Sequence, residues 1–247
     1  MNNKESKFAF VTGTSSGIGK ATANELLSRN WEVIGAARRC ANINHKNYKH
    51  LNVDLIDLDK SVNEITKNLK SKISNEKYAR IALVNNAAGA GELIRLEELD
   101  PEKLRDLYTL NVVIPVWLTG LFYKNKSKNS KLRVIDISSG AAHDAYAGMA
   151  AYCGTKASLL MSGKVFSAEN IEDRNLAILN YEPGTVDTEM QRIARSQRQD
   201  EFPSVNMFKA IEAKNMLVDP ALVAKEIVNF LENNEPGYGQ KRFGVKH

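Results

Sequence analysis

Tyr152 and Lys156 stand four residues apart in Tyr152-Cys153-Gly154-Thr155-Lys156. On a helix that spacing stacks a phenol and an ammonium on one face, one turn apart. A phenol is a poor acid near neutral pH, with an ordinary pKa of about 10. An adjacent ammonium favours the phenolate and is expected to lower that value, which would let Tyr152 give and take a proton. Ser139, in Ile135-Asp136-Ile137-Ser138-Ser139-Gly140, precedes Tyr152 by thirteen residues, far enough for a loop to return its hydroxyl beside the phenol. Two hydroxyls converging on one carbonyl oxygen can polarise it. Asn111, in Leu110-Asn111-Val112, is an awkward residue for a helix interior. Its amide or backbone carbonyl can hold a water that passes protons to Lys156, or its side chain can make an interhelical hydrogen bond. Taken alone, Tyr-x-x-x-Lys equally describes an exposed helix face, so the elements that carry these residues decide its meaning.

The chain alternates short β-rich runs with longer helical patterns. Strands are predicted at residues 8–12, 32–36, 50–53, 81–85, 133–138 and 176–181. Helices are predicted at 17–29, 58–74, 101–124 and 151–170, followed by shorter ones at 189–198 and 205–216, a longer one at 220–233 and an extended piece at 240–245. Strands nearly continuous in Val, Ile and Leu suit a parallel sheet covered by helices on both faces. The expectation is a single doubly wound α/β domain over residues 1–247, with ligands beyond the carboxyl ends of the strands and residues 189–216 covering the site.

Composition agrees with one ordinary domain: 247 residues, 43% of them hydrophobic, can bury a sizeable core. The net charge of +5 comes from basic residues spread along the chain. The densest stretch, residues 124–133, is interleaved with Ser and Asn and lacks aromatics for base stacking, which argues against nucleic acid as a partner. The polar start at residues 1–7 offers no apolar run for a signal peptide or membrane helix. A cytoplasmic protein without a membrane partner is expected. Cys40 and Cys153 lack metal-ligand spacing and read as free thiols, the four His residues add no zinc pattern, and no metal is expected.

The first strand runs into Thr12-Gly13-Thr14-Ser15-Ser16-Gly17-Ile18-Gly19, after which a helix begins. Glycines there allow a tight turn and close approach of a phosphate, and the helix N-terminus supplies unpaired N–H groups. Dinucleotide binding, in the Rossmann manner, is the reading this context favours. The second strand ends Gly35-Ala36-Ala37-Arg38-Arg39, without the acid that would bind the ribose hydroxyls of NAD. Two guanidiniums suit a 2′-phosphate instead, so NADP(H) is favoured. Asp54-Leu55, after the third strand, can meet the adenine edge. Asn85-Asn86-Ala87-Ala88-Gly89, after the fourth, lets backbone approach the cofactor.

With these residues in order, the chain resembles the short-chain dehydrogenase/reductase family. The resemblance rests on Thr12-Gly13-x-x-x-Gly17-x-Gly19, Asn85-Asn86-Ala87, Asn111, Ser139, Tyr152-x-x-x-Lys156 and Pro183-Gly184, and it covers nearly the whole chain. It implies that Tyr152 protonates the nascent alkoxide, Ser139 orients the carbonyl, Lys156 lowers the phenol pKa and holds the nicotinamide ribose, and Asn111 keeps a relay water. It also implies that Gly13, Ser15, Ser16, Gly17, Ile18, Gly19, Arg38, Arg39, Asp54, Leu55, Asn86 and Ala87 bind cofactor. Pro183, Val186 and Thr188 would meet the nicotinamide carboxamide and diphosphate, and Gly184, with Ser139 and Tyr152, the substrate. Within the family, Ser139-Gly140-Ala141-Ala142 and the segment 182–191 are similar to sepiapterin reductases and bacterial benzil reductases. That similarity implies an NADPH-dependent carbonyl reductase acting on a small ketone or one carbonyl of a vicinal diketone. It would place Tyr146, Met149, Met190 and Trp117 near the substrate. Sepiapterin reductases carry a carboxylate near the C-terminus that anchors the pterin, whereas no Asp or Glu follows Glu235 here, so a less polar diketone or keto compound is expected. Family members pair through the helices at 101–124 and 151–170, implying a homodimer or homotetramer. The alternatives are a non-catalytic NADP(H)-sensing regulator or scaffold of the same fold and an NADP-dependent secondary-alcohol dehydrogenase.

Overall fold

Phe8, Ala9, Phe10 and Val11 have no solvent exposure on either side of their strand, which requires helices on both faces. The computed structural model describes residues 6–244; the polar residues 1–5 and Val245, the last residue of the expected extended piece, lie outside them. Seven strands form one parallel sheet in the order β3-β2-β1-β4-β5-β6-β7. They are β1 (Ser6–Thr12), β2 (Glu32–Ala37), β3 (Tyr48–Asn52), β4 (Tyr78–Asn85), β5 (Lys131–Ile137), β6 (Leu176–Glu182) and β7 (Gly237–Arg242). The helices are α1 (Gly17–Ser28), α2 (Leu58–Ile73), α3 (Pro101–Tyr108), α4 (Ile114–Asn125), α5 (Ala150–Glu169), α6 (Glu189–Ser196), α7 (Val205–Ala213) and α8 (Pro220–Glu232). Alternate strand residues feed two cores. Phe8, Phe10, Ile81 and Leu83 pack with Ile65 and Leu69 of α2 and Leu118 and Phe122 of α4. Ala9, Val11, Ala82 and Val84 pack with Leu26 and Leu27 of α1 and Ile227 and Leu231 of α8. None of the helices among the described residues is long and apolar enough to cross a membrane.

Element ends shift by up to three residues, β4 starting at Tyr78 rather than 81 and α7 ending at Ala213 rather than 216, and two departures have a clear physical reason. The helix expected over 101–124 is broken by a π-helical turn at Thr109–Val113, because Pro115 has no N–H to donate to the carbonyl of residue 111 and its ring crowds that carbonyl. The last strand starts at Gly237 rather than 240, since its pairing partner β6, not its own composition, determines where it begins.

The strand order leaves β1 and β4 side by side, and their carboxyl ends are clamped together. Thr12 Oγ1 accepts hydrogen bonds from the backbone N–H of Asn86 (3.0 Å) and Ala87 (2.9 Å), while Asn86 Nδ2 donates to the Thr12 carbonyl at 2.9 Å. Thr12→Val keeps the shape but strips two backbone donors of their acceptor. An unsatisfied donor costs about 1–3 kcal/mol, so the urea midpoint of Thr12→Val is expected to fall by a corresponding amount with an unchanged m-value.

Candidate active site

The clamp sets the glycine turn. Gly13 adopts φ +75°, and a Cβ there would stand 2.7 Å from Asn86 Nδ2 and 3.0 Å from Ala87 Cα. Both the left-handed backbone and the close approach exclude other residues. Ser16 caps α1 in extended conformation without spending its hydroxyl on the helix, which leaves the first-turn N–H groups and that hydroxyl facing outward for an anion. Gly19 is the exception within the motif. It does not reach the open space, and its place is explained by packing, since a Cβ would come within 3 Å of the Gly13 carbonyl and of Asn86.

Beyond the carboxyl ends of the strands lies a cavity of about 940 Å³. Gly13, Ser15, Ser16, Gly17 and Ile18 line one side, and Arg38, Arg39, Asp54 and Leu55 line the end beyond β2 and β3. Asn86 and Ala87 lie between, with Ser139, Tyr152, Lys156, Pro183, Gly184, Val186 and Thr188 on the opposite side. Arg38 Nη1 is 3.9 Å from Asp54 Oδ2, with both side chains largely exposed. Asp54 Oδ1 is occupied locally, accepting from the Ile56 N–H at 3.1 Å. The dinucleotide expected from the sequence fits this donor set: an uncapped helix start, a glycine cradle and two guanidiniums face one space.

Helix α5 brings Tyr152 and Lys156 to the end of β5. Both are buried, and Lys156 Nζ donates to the Ile137 carbonyl at 2.7 Å while standing 5.6 Å from the Tyr152 ring centroid. Burial pushes the Tyr152 phenol up to about 12, opposed by the neighbouring Ser139 hydroxyl, which itself accepts from the Ala141 N–H at 3.2 Å. Burial also drives Lys156 down to about 8, opposed by the buried Asp136 carboxylate. The net direction for the phenol is thus upward and is set by burial.

Asn111 does not line the cavity. Its Oδ1 accepts from the Gly89 N–H at 2.9 Å, and its Nδ2 donates to the Gly89 carbonyl at 2.9 Å and to Thr155 Oγ1 at 3.1 Å. The side chain thus makes the interhelical bond and closes the loop after β4. Its own carbonyl has no α-helical donor, since Pro115 stands where that donor would be. Trp117 packs on the sheet core instead of approaching the cavity, whereas Tyr146, Met149 and Met190 line it. Met190 and Phe208 come from α6 and α7, within the segment expected to cover the site.

Arg242 and Glu182 also line the cavity, and Arg242 Nε donates to Glu182 Oε2 at 2.9 Å. Sequence reading missed both as site residues. Their proximity follows from the β6–β7 register, which pairs Glu182 with Arg242 and leaves no local motif.

A parallel sheet in this order, with a glycine turn after its first strand and a serine, tyrosine and lysine gathered at its fifth, defines a Rossmann-type dinucleotide-binding protein. The chain matches the short chain dehydrogenase family over residues 7–199 and belongs to it. It is 34% identical over 225 residues to a benzil reductase ((S)-benzoin forming) of Bacillus subtilis, covering 90% of this chain and 92% of that protein. A sepiapterin reductase of Xenopus tropicalis is 30% identical over 158 residues, covering 62% of this chain and 59% of its own length. A solved short-chain dehydrogenase/reductase from Saccharomyces cerevisiae superposes with a TM-score of 0.79 at 22% identity, covering 97% of this chain and 96% of that one. The chain is thus a short-chain oxidoreductase related to benzil and sepiapterin reductases.

The folded-state value of Lys156 lies below its ordinary 10.5. Between about 8 and 10.5 the native chain consequently holds fewer protons at this group than the unfolded chain, and its contribution to stability rises with pH across that window. Urea unfolding of the cofactor-free protein is expected to show wild type gaining on Lys156→Met as pH rises from about 7.5 to about 10. A constant difference between the two proteins would refute the assigned burial of the charge.

Proposed function

We propose that the chain is a cytoplasmic NADPH-dependent carbonyl reductase that converts a small ketone, or one carbonyl of a vicinal diketone, to the alcohol. The observation that carries this reading is a shared space: Ser139, Tyr152 and Lys156 line the same cavity as the glycine turn and Arg38 and Arg39. The similarity to benzil reductases over nine-tenths of the chain supports the diketone.

The reduced nicotinamide, when bound, supplies the hydride. Tyr152 hands its proton to the carbonyl oxygen, and Ser139 donates a hydrogen bond to the same oxygen, so that developing negative charge meets two fixed donors. A phenol raised by burial stays protonated at neutral pH and is ready as an acid. Lys156 stands behind the phenol as the local positive charge that eases its loss of a proton, and the Asn111 carbonyl can hold the water that resupplies it. Arg38 and Arg39 receive a 2′-phosphate through planar, permanently charged donors. Helices α6 and α7 cover the substrate side with Met190, Ala194 and Phe208, which exclude water. The last strand contributes Arg242 rather than an acid, in keeping with a diketone in preference to a pterin. Val113, Val116, Met161 and Val165 are exposed on or beside α4 and α5, a surface suited to pairing two copies.

Tyr152→Phe should lower kcat by at least about 10²-fold, the ordinary scale of general acid catalysis, with NADPH binding, measured by fluorescence titration, nearly unchanged. Retention of most activity with a panel of benzil-type diketones, pterins and simple ketones would discard the mechanism. Replacing Arg38 and Arg39 by Ala should weaken NADPH by about tenfold or more, equivalent to about 1.4 kcal/mol, and NADH far less. An equal loss for both cofactors would overturn the 2′-phosphate assignment.

A further inference from the structure

One residue before the carbonyl that holds Lys156 lies a carboxyl group that the proposed mechanism does not use. Asp136 is 3% exposed and sits in register between Asn85 of β4 and Asn180 of β6. Its Oδ1 accepts from Asn85 Nδ2 at 2.8 Å, while Asn180 Nδ2 is buried with no hydrogen-bond partner among the described residues. Its Oδ2 faces α5 at Gly163, where an added Cβ would stand 3.4 Å away. Gly163 follows Lys156 by seven residues, two helical turns along the sheet-facing side of α5. The Lys156 ammonium ends on the carbonyl of Ile137, the residue after Asp136.

The groups gathered around this carboxyl come from every neighbouring element. They are Asn85 from β4, Thr119 of α4 reached through Asn85, Lys156 and Gly163 from α5, Asn180 from β6 and the Tyr238 ring from β7. Among these described residues Lys156 alone brings an opposite charge. A buried carboxylate without a counter-charge is strongly disfavoured, and the same holds for a buried ammonium.

We propose that Asp136 is a positioning residue of this site, whose carboxylate keeps Lys156 in the ammonium form through neutral and mildly alkaline pH and so keeps the proton-delivering tyrosine beside a positive charge. The directions of titration agree. Burial pushes Asp136 up to about 6 against the Asn85 hydrogen bond and the Lys156 charge, and pushes Lys156 down to about 8 against Asp136. Between those values both are charged. The consequence for turnover rests on the reductase reading, but the pairing itself is measurable on the cofactor-free protein.

Asp136→Asn keeps the size of the side chain and can still accept the Asn85 hydrogen bond, so a purely packing role would survive it. With the charge removed, the pH at which cofactor-free stability starts to rise through Lys156 deprotonation should move down by about one unit, the lower end of what a close opposite charge contributes. The alkaline limb of turnover should move with it. An unchanged onset in the folded variant would overturn the proposal. If Asp136→Asn does not fold, the reciprocal measurement decides: in cofactor-free Lys156→Met at pH 7, Asp136 should take up a proton and show the infrared band of a neutral buried carboxyl, absent from wild type. A carboxylate still ionised there would equally overturn the pairing. A shifted onset with an unmoved alkaline limb would uphold the pairing but overturn its role in turnover, whereas a shifted onset in a protein that turns over none of the carbonyl panel would count against the reductase reading alone.

Discussion

One buried hydrogen bond holds the site in its geometry: the Lys156 ammonium donating to the Ile137 carbonyl at the end of β5. It ties a helix to the carboxyl edge of the sheet, where the strand's own carbonyls run out of partners, and it fixes Tyr152 one turn earlier on the same helix face. A charged-group hydrogen bond of this kind is stronger than a neutral one, and water cannot compete for it at 3% exposure. Ser139, two residues past the same carbonyl, is carried to the phenol by the strand end itself, so the three groups share one anchor.

The same burial that makes the anchor strong displaces both acid–base groups from their ordinary values, and in opposite senses. A phenol becomes a weaker acid and an ammonium a stronger one when each is taken out of water, since in both cases the charged form loses hydration. The two shifts bring the pair towards neutrality together. A tyrosine with a high pKa and a lysine with a low one are groups whose protonation responds to whatever charge next enters the cavity.

Much of the architecture was legible because its causes are local. Runs such as Phe8-Ala-Phe-Val and Ile81-Ala-Leu-Val announce strands covered on both faces, and the glycines after Thr12 mark a turn only they can make. The tyrosine-to-lysine spacing was legible for the same reason, being a property of one helix. What escaped was non-local or hidden in a single residue. Pro115 breaks the helix through the absence of one N–H, a defect that hydrophobic periodicity does not register. Asn111 could not be assigned between two roles until the loop at Gly89 and the hydroxyl of Thr155 were seen to claim its side chain. Trp117 lies on the core-facing side of its helix. Arg242 and Asp136 become visible only once strand register brings distant segments into line.

The clamp formed by Thr12 bears on how the molecule comes into being. Its two halves are more than seventy residues apart in the chain, so the clamped form of the glycine turn is not a property of the first βα unit alone, although every glycine of the motif lies there. Closing so long a loop is slow compared with forming the helix that follows the turn. During synthesis the segment up to Gly19 emerges before β4, so the clamp on its turn can close only once β4 has docked alongside β1. Nucleotide would therefore be captured late, by a nearly completed sheet, and its binding energy would stabilise finished molecules over partly folded ones.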